Sequence, residues 1–209
     1  TGYKNLLKLS SLGFMEGFYY TARIDDELLE KYHEGLITLS GGSGGEIPTH
    51  LSDGNREKAL GRARFYSELF GKDHFYIELV HRADNPAELQ SNNALISLAS
   101  ELDIPLVATS NSAYLFPEDH EAWETLQCIQ KGMTLDEYRR MNGGEADYSL
   151  ATPDMMEVAF KDTPSALSNT GAISDRCLVE LELDRPKLPV FQVPDEKTDA
   201  VYLRELAEV

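Results

Sequence analysis

Short apolar runs and longer amphipathic stretches alternate along the middle of the chain. The apolar runs cover residues 35–40, 74–79 and 104–108, and each is too short for a helix, which predicts strands. Between them, apolar residues recur at helical spacing over residues 55–70 and 86–102. Strands that start roughly 30 to 40 residues apart, with a helix between them, are typical of βα units. The pattern therefore predicts an α/β fold with a parallel sheet.

Further helices are predicted from their end residues. Asp25 is a suitable N-cap for a helix over residues 26–32, and residues 3–15 have a broad apolar face. Four threonines open later helices: Thr134 (with Glu137 at capping-box spacing), Thr152 and Thr163 (each followed by proline) and Thr198. In the helix at 86–102, the pattern directs the following residues to the core: Leu89, Ala94, Leu95, Leu98 and Leu102.

Two strand-end loops are the candidate sites, because ligands bind at the carboxyl ends of strands in α/β folds. Residues 109–112, Thr-Ser-Asn-Ser, follow the strand at 104–108 and contain no carboxylate, histidine or cysteine. Residues 41–46 follow the first strand and contain four glycines. Their spacing matches neither the dinucleotide-binding glycine pattern nor a P-loop, so a strand-to-helix turn is favoured over a phosphate cradle.

Other chemistry-bearing residues have simpler structural explanations. Residues 117–121, Pro-Glu-Asp-His-Glu, could suggest a metal site, but a proline and acids are the usual residues of a helix's first turn. His81 follows a strand, where a site residue could lie, and a surface histidine is the favoured interpretation. Cys128 and Cys177 lack metal-ligand spacing and are predicted to be buried thiols. The aromatic residues 18–20 could stack on bases, but packing is favoured.

The charge of the chain argues against a broad nucleic-acid surface. The formal net charge is −17, with a pI near 4.6. Paired arginines occur only at Arg62 with Arg64 and at Arg139 with Arg140, and each pair is expected to be a solvated face. No stretch approaches the length of apolar sequence that spans a bilayer, so no membrane association is expected. The chain starts without Met and stops inside a predicted helix, which indicates a segment of a longer protein.

Several segments in colinear order resemble the α subunits of bacterial DNA polymerase III. The matching segments are TGYKNLLKLSS, EGFYY, RIDDELL, EGLITLSGG-x-GGEIP, FYIEL, IPLVATSN-x-AYL and LPVF-x-VPDEKT-x-x-x-YL. The resemblance implies the later two thirds of an amino-terminal PHP (polymerase and histidinol phosphatase) domain over residues 1–185. Residues 186–209 would be a linker and first helix toward the polymerase palm. The implied fold is part of a distorted (β/α)₇ PHP-type barrel whose first strands lie upstream.

The resemblance also locates metal-ligand positions and shows that they have changed. In relatives with an active PHP site, the later ligands are a Cys in the glycine loop and the Asp and His of a TNDxHY motif. These positions fall on Gly42, Asn111 and Ala113. Glycine and alanine offer no donor, and an amide is a poor replacement for a carboxylate. The resemblance therefore implies a degenerate site, with no catalytic residue, metal or other cofactor in this segment.

The expected function follows from the resemblance. The intact protein would be a cytoplasmic DNA-directed DNA polymerase that uses Mg²⁺ and contacts DNA through the rest of its chain. This segment would stabilise the polymerase or dock its proofreading exonuclease subunit, among other replicase subunits. The alternative is an active metal-dependent phosphoesterase or 3′–5′ exonuclease, based on His81, His120 and the neighbouring acids. An unrelated acidic binding module is a third hypothesis.

Overall fold

The computed structural model describes residues 1–81, 86–142, 147–181, 183, 192–193 and 197–208. Backbone contacts divide the chain into two compact units, Thr1–Leu178 and Val179–Val209. In the described residues, the first unit carries the sheet and the second carries a helix at Asp199–Ala207. The predicted boundary between residues 185 and 186 lies outside the described residues, so it stays a prediction.

A parallel sheet organises the first unit. Its strands in the described residues lie side by side in chain order: β1 (Thr38–Leu39), β2 (Phe75–His81) and β3 (Leu106–Ser110). Thr38 pairs with Phe75, and Ile77 pairs with Leu106. The predicted α/β fold with parallel strands is confirmed, and it is consistent with part of a PHP-type barrel. The strand bounds differ from the prediction: β1 is shorter than residues 35–40, β2 extends to His81, and β3 begins at Leu106. Thr109 and Ser110, which were expected to lie in a loop, are the last residues of β3.

The helices follow the predicted order, with one addition. They are α1 (Gly2–Met15), α2 (Asp26–Tyr32), α3 (Glu46–Ser52), α4 (Arg56–Phe70), α5 (Pro86–Leu102), α6 (His120–Lys131), α7 (Leu135–Asn142), α8 (Pro153–Ala159), α9 (Pro164–Arg176) and, in the second unit, α10 (Asp199–Ala207). The sequence analysis did not predict α3. Its Pro48 lies in the first turn, where the missing N–H has no intrahelical partner to lose.

Most of the predicted helix caps are formed. The Asp25 carboxylate accepts a hydrogen bond from the Leu28 N–H at 3.0 Å, and the hydroxyls of Thr152 and Thr198 cap α8 and α10 in the same way. Thr134 and Glu137 exchange hydrogen bonds as a capping box. Thr163 is the exception, because its side chain makes no cap bond although Pro164 does begin α9.

The core lies between the sheet and the helices that follow its strands. The largest fully buried side chains are Phe75, Ile47, Ile77, Leu79, Leu95 and Leu98. Leu89 was predicted to face this core, but it is 65% exposed, whereas Glu88 is 5% exposed. The reason is the rotation of α5: Glu88 lies seven residues before Leu95 and therefore on the same inward face.

Side chains of α9 cover the outer edge of β3. Asn169 Nδ2 donates to the Leu106 carbonyl at 2.8 Å, and Thr170 Oγ1 donates to the Ala108 carbonyl at 2.8 Å. The carbonyl of Pro105 points the other way and accepts from Ile77 N of β2. Because neighbouring carbonyls alternate in direction along a strand, Leu106 and Ala108 face away from β2. The helix therefore satisfies strand groups that would otherwise be open to another chain.

Two smaller predictions are wrong. Phe18, Tyr19 and Tyr20 were expected to be packed, yet all three are more than half exposed. Cys177 was expected to be buried and is exposed, while Cys128 is buried as predicted.

Candidate functional site

A cleft lies at the carboxyl ends of the three strands, as the α/β topology leads one to expect. Its volume is about 250 Å³. The residues that line it come from the glycine loop, β2, α5 and the end of β3: Gly41, Gly42, Ser43, Gly44, Glu78, Val80, Glu88, Thr109, Ser110 and Asn111. The two loops that the sequence analysis selected are therefore brought together. We call this space the strand-end cleft.

The glycine loop forms one wall of the strand-end cleft through backbone geometry. Gly41 and Gly42 have φ values of 88° and 51°, in the left-handed region that side chains disfavour. A Cβ atom at Gly42 would lie 3.0 Å from a methyl carbon of Val80. A 3₁₀ turn at Gly42–Gly44 then leads into α3. The loop is thus a strand-to-helix turn, as predicted, and a cysteine at Gly42 would be strained.

Two glutamates in the cleft were missed by the sequence analysis. Glu78 lies in β2, where its Oε1 accepts a hydrogen bond from Thr109 Oγ1 at 2.7 Å. Its backbone N–H donates to Ser40 Oγ at 2.9 Å, so Glu78 is bonded to residues on both sides of β2. Glu88 also lines the cleft and is buried. The sequence did contain a signal for Glu78, since it is an acidic residue within the apolar run of β2. Charged residues are rarely buried in a central strand unless they are paired, so such a residue is a candidate site residue.

A second, much smaller cavity of about 20 Å³ adjoins the same strand end. Its lining residues are His81, Ser110, Asn111, Asp147, Ser149, Ala151 and Met155. Asn111 lines both spaces. The Ser149 N–H donates to Asp147 Oδ1 at 2.8 Å, and this bond holds the pKa of Asp147 below its usual value. His81 thus lies close to the cleft, as its strand-end position allowed.

Ala113, unlike the other two predicted ligand positions, does not line the strand-end cleft. Gly42 and Asn111 both line the strand-end cleft, whereas Ala113 lines neither cavity. Its backbone N–H instead donates to the Tyr148 carbonyl at 2.8 Å, which ties the loop after β3 to residues 147–150. Ser112 reinforces this contact by donating to the Ser149 carbonyl.

The acidic stretch at residues 117–121 is a helix start, as the sequence analysis favoured. Pro117–Asp119 forms a 3₁₀ turn, and Asp119 Oδ2 accepts from the Phe116 N–H at 3.2 Å. His120 points inward, where its Nδ1 lies 3.0 Å from the hydroxyl of Tyr114. Burial raises the pKa of that tyrosine hydroxyl. These residues join the loop after β3 to α6 and lie outside the cleft lining.

The described residues do not fit the metal centre of relatives with an active PHP site. Among them, no group of three or more His, Cys, Asp or Glu side chains is placed to hold a metal ion. The strand-end cleft offers Glu78 and Glu88 as carboxylates, but its other lining groups are hydroxyls, an amide and glycine backbone. A multinuclear site requires several anionic or imidazole ligands around closely spaced cations.

Comparison with known protein families indicates which kind of domain the chain contains. Residues 1–82 match the model of the PHP domain family. This match covers α1 to β2, the elements that build the glycine-loop wall of the cleft. No helix in the part of the chain that the structure describes is long and apolar enough to cross a membrane.

The similarity to individual proteins extends along nearly the whole chain, and three such relatives are each named DNA polymerase III subunit alpha. The protein from Treponema pallidum is 37% identical over 208 residues, which cover 99% of this chain. The proteins from Aquifex aeolicus and Pseudomonas aeruginosa are 39% and 38% identical, covering 99% and 97% of this chain. This chain is therefore homologous to a segment of these subunits, and it spans only 18% of the Treponema and Aquifex proteins.

Proposed function

We propose that this chain is a segment of the catalytic α subunit of a bacterial DNA polymerase III and acts in DNA replication. The observation that supports this proposal most strongly is similarity to proteins of that name over 99% of the chain. Within the subunit, we propose that this segment is a PHP domain with a degenerate metal site. Its role would be to stabilise the polymerase or to dock a proofreading exonuclease subunit.

The composition of the strand-end cleft supports the proposal of a degenerate site. Gly42 and Asn111, at two positions where the resemblance implies metal ligands, line it together. Glycine has no side-chain donor, and an amide oxygen carries no charge to hold a divalent cation. Gly42 also has a positive φ, a backbone conformation that glycine adopts more readily than residues with a side chain.

The remaining functions are assigned to other parts of the proposed subunit. Nucleotide addition needs paired carboxylates that hold two Mg²⁺ ions, and we place these outside this segment. DNA and the other replicase subunits would be bound mainly by the rest of the subunit. The proposed location is the cytoplasm.

The test compares two forms of the longer protein that contains this chain: the intact protein and a form lacking residues 1–178. The proofreading exonuclease subunit is captured from a purified mixture, and the polymerase melting temperature is measured in parallel. We expect the deletion to lower both the captured amount and the melting temperature. Unchanged capture together with unchanged melting would contradict the proposed role.

The second candidate is an active metal-dependent phosphoesterase or 3′–5′ exonuclease. It is favoured by one observation, the presence of Glu78 and Glu88 in the same cleft. Metal content and hydrolysis of a phosphate ester with added Mn²⁺ or Zn²⁺ should distinguish the two candidates, with Glu78→Gln as the matched variant. Stoichiometric metal and hydrolysis that Glu78→Gln abolishes would support the enzyme. Their absence in the intact protein would support the degenerate site.

A further inference from the structure

Helix α6 has an open face that carries apolar residues. Its inward face includes Glu124 and Cys128, which are buried. On the other side, Ala122, Leu126 and Ile129 follow one another at spacings of four and three residues, as in the seam that a helix presents to a second helix. Leu126 and Ile129 are 63% and 73% exposed. Within the described residues, this seam is therefore open to solvent.

A concavity adjoins the seam where the chain turns from α6 into α7. Its volume is about 480 Å³, and its large apolar side chains are those of Ile129, Met133 and Leu135. The turn is held in place by its backbone. Gly132 ends α6 with a left-handed φ of 65°, and the Met133 N–H donates to the Cys128 carbonyl at 3.1 Å. The concavity has room for one apolar side chain of a partner, such as a leucine or a phenylalanine.

Neither α6 nor α7 belongs to the main hydrophobic core. The core cluster of the described residues includes side chains of the sheet and of α3, α4, α5 and α9, but none of α6 or α7. These two helices instead pack on each other, with Cys128 and Tyr138 buried. Exposed apolar side chains on such an appended pair add nothing to the core, and a patch of this kind is typical of an interaction site.

Acidic side chains border the seam and the concavity. Glu121 lies in the first turn of α6, one turn before Thr125 of the concavity lining. Glu137 lines the concavity itself. Hydrogen bonds from the backbone and the hydroxyl of Thr134 lower the pKa of Glu137, so this carboxylate is ionised at neutral pH.

The described basic side chains of the two helices are engaged elsewhere. Arg139 binds the Glu124 carboxylate. Lys131 Nζ lies 4.9 Å from the centroid of the Tyr138 ring, and Arg140 Nε donates to a backbone carbonyl of its own helix. The charge at the concavity is therefore negative. It complements a partner that carries lysine or arginine beside its apolar residues.

We propose that the open seam of α6 and the adjoining concavity, together the α6–α7 groove, dock an amphipathic helix that carries basic residues beside its apolar face. The inference rests on the proposed function and names the surface for it: the helix belongs to the proofreading exonuclease subunit. Its apolar residues pack against Leu126 and Ile129, and one of them enters the concavity. Its basic residues pair with Glu121 and Glu137.

The test measures the affinity of the purified exonuclease subunit for the longer protein that contains this chain. Leu126→Gln combined with Ile129→Gln should weaken binding about tenfold, because apolar contacts at the centre of the interface are lost. Glu121→Lys should weaken it about threefold and reduce its salt dependence. Leu89→Gln, an exposed leucine of α5, and Glu57→Lys, a first-turn acid of α4, are the matched controls and should bind like the unaltered protein.

The outcomes separate this inference from the proposed function. If deletion of residues 1–178 abolishes capture while the groove variants bind normally, the groove is not the docking surface and the proposed function stands. If the deletion leaves capture unchanged, both fail. A concentration-dependent dimer that the double variant removes would assign the face to a second copy of the chain and overturn the inference.

A second measurement uses only the unaltered longer protein, so it does not depend on the folding of a variant. Hydroxyl-radical footprinting reports the solvent exposure of side chains. Leu126, Ile129 and Met133 should be labelled in the protein alone and protected once the exonuclease subunit is added. If they are protected without it, another part of the longer protein covers the groove, and the inference is wrong.

Discussion

At the scale of single residues, Arg62 of α4 connects its own helix to α2 and α3. Its guanidinium donates two hydrogen bonds to Asp26 of α2 and one to Glu46 of α3, each at 2.8 Å. Tyr66, one turn along α4, accepts a further hydrogen bond from Arg62. The sequence analysis expected a solvated arginine pair at this point. That interpretation was wrong for Arg62, because its acidic partners are distant in sequence and only the fold brings them together.

Replacing Arg62 should destabilise the first unit through these lost bonds. We expect Arg62→Gln to lower the free energy of unfolding by about 1–2 kcal/mol, since several charge-assisted hydrogen bonds in a partly exposed site are removed. Arg62→Lys should restore only part of the loss, because an ammonium cannot reproduce the bidentate fork. Urea denaturation measures both. Arg64→Gln on the exposed side of α4 should change stability little, and an equal loss there would contradict the argument.

The same site gives stability a specific pH dependence. Hydrogen bonding to Arg62 lowers the pKa of Asp26 below its unfolded value. A carboxyl with a depressed pKa stabilises the fold above the unfolded pKa of about 3.9, and this contribution is lost as the pH falls through the folded pKa. The stability difference between the unaltered chain and Arg62→Gln should therefore be constant near neutrality and shrink below about pH 4. Denaturation across this range measures it, and a difference that grows on acidification would exclude the mechanism.

At the scale of elements, the glycine loop shows that neighbouring glycines have different requirements. A Cβ atom at Gly45 would overlap the carbonyl oxygen of Ser40, whereas at Gly44 nothing lies within 4 Å. Gly44→Ala should therefore fold with nearly unchanged stability, while Gly45→Ala should lose about 1–3 kcal/mol as the loop shifts. Thermal unfolding of the two variants is the measurement. Equal effects would mean that the approach of Gly45 to Ser40 is not a constraint.

The contact between α9 and β3 gives a second prediction at this scale. Asn169→Ala and Thr170→Val each leave a strand carbonyl without its side-chain donor. Each should reduce the free energy of unfolding by about 1 kcal/mol, and a combined variant should also associate more readily through the opened edge. Urea denaturation and light scattering report the two effects. Ser168→Ala, whose hydroxyl bonds only within its own helix, serves as the control.

Other differences between expectation and structure also arise at the scale of elements. The order of strands and helices followed from periodicity, and the bounds of α5 agree with the prediction. The rotation of α5 did not follow, because an alternative apolar stripe including Leu89 fitted the same periodicity. Packing against β2 selected the face with Leu95 and Leu98. Glu88 shares that face and was carried into the interior with it.

At the scale of the whole molecule, ion pairs with carboxylates engage some of the few basic residues, and this adds to the effect of the negative net charge. Arg62 and Arg139, one from each arginine pair, are both engaged by carboxylates. Within the described ranges, these ion pairs leave few clustered basic side chains to neutralise phosphates, and the chain carries a net charge of −17. We expect no saturable binding of duplex or single-stranded DNA by this chain at about 0.15 M salt in fluorescence anisotropy. Micromolar, salt-dependent affinity would contradict this and indicate a surface that net charge conceals.

The candidate site was partly accessible from the sequence. The two strand-end loops were selected from the order of elements alone, and the structure places Gly42 and Asn111 in one cleft. The resemblance aligned Ala113 with them, but Ala113 does not line that cleft, and its backbone N–H donates to the Tyr148 carbonyl. Glu78 and Glu88 were missed because periodicity assigns residues to faces and gives no distances between side chains from different elements.

The sequence by itself determined where the three strands lie, which segments are helices apart from α3, most of the helix ends, and the parallel order of the sheet. These depend on local periodicity and on capping groups within a few residues of each other. Only the tertiary structure decided that Arg62 links three helices and that α9 covers β3. It also decided that His120 lies between the Tyr114 hydroxyl and the Glu124 carboxylate. Each of these is a contact between segments far apart in the chain or on facing elements. Their geometry exists only after the hydrophobic faces have packed.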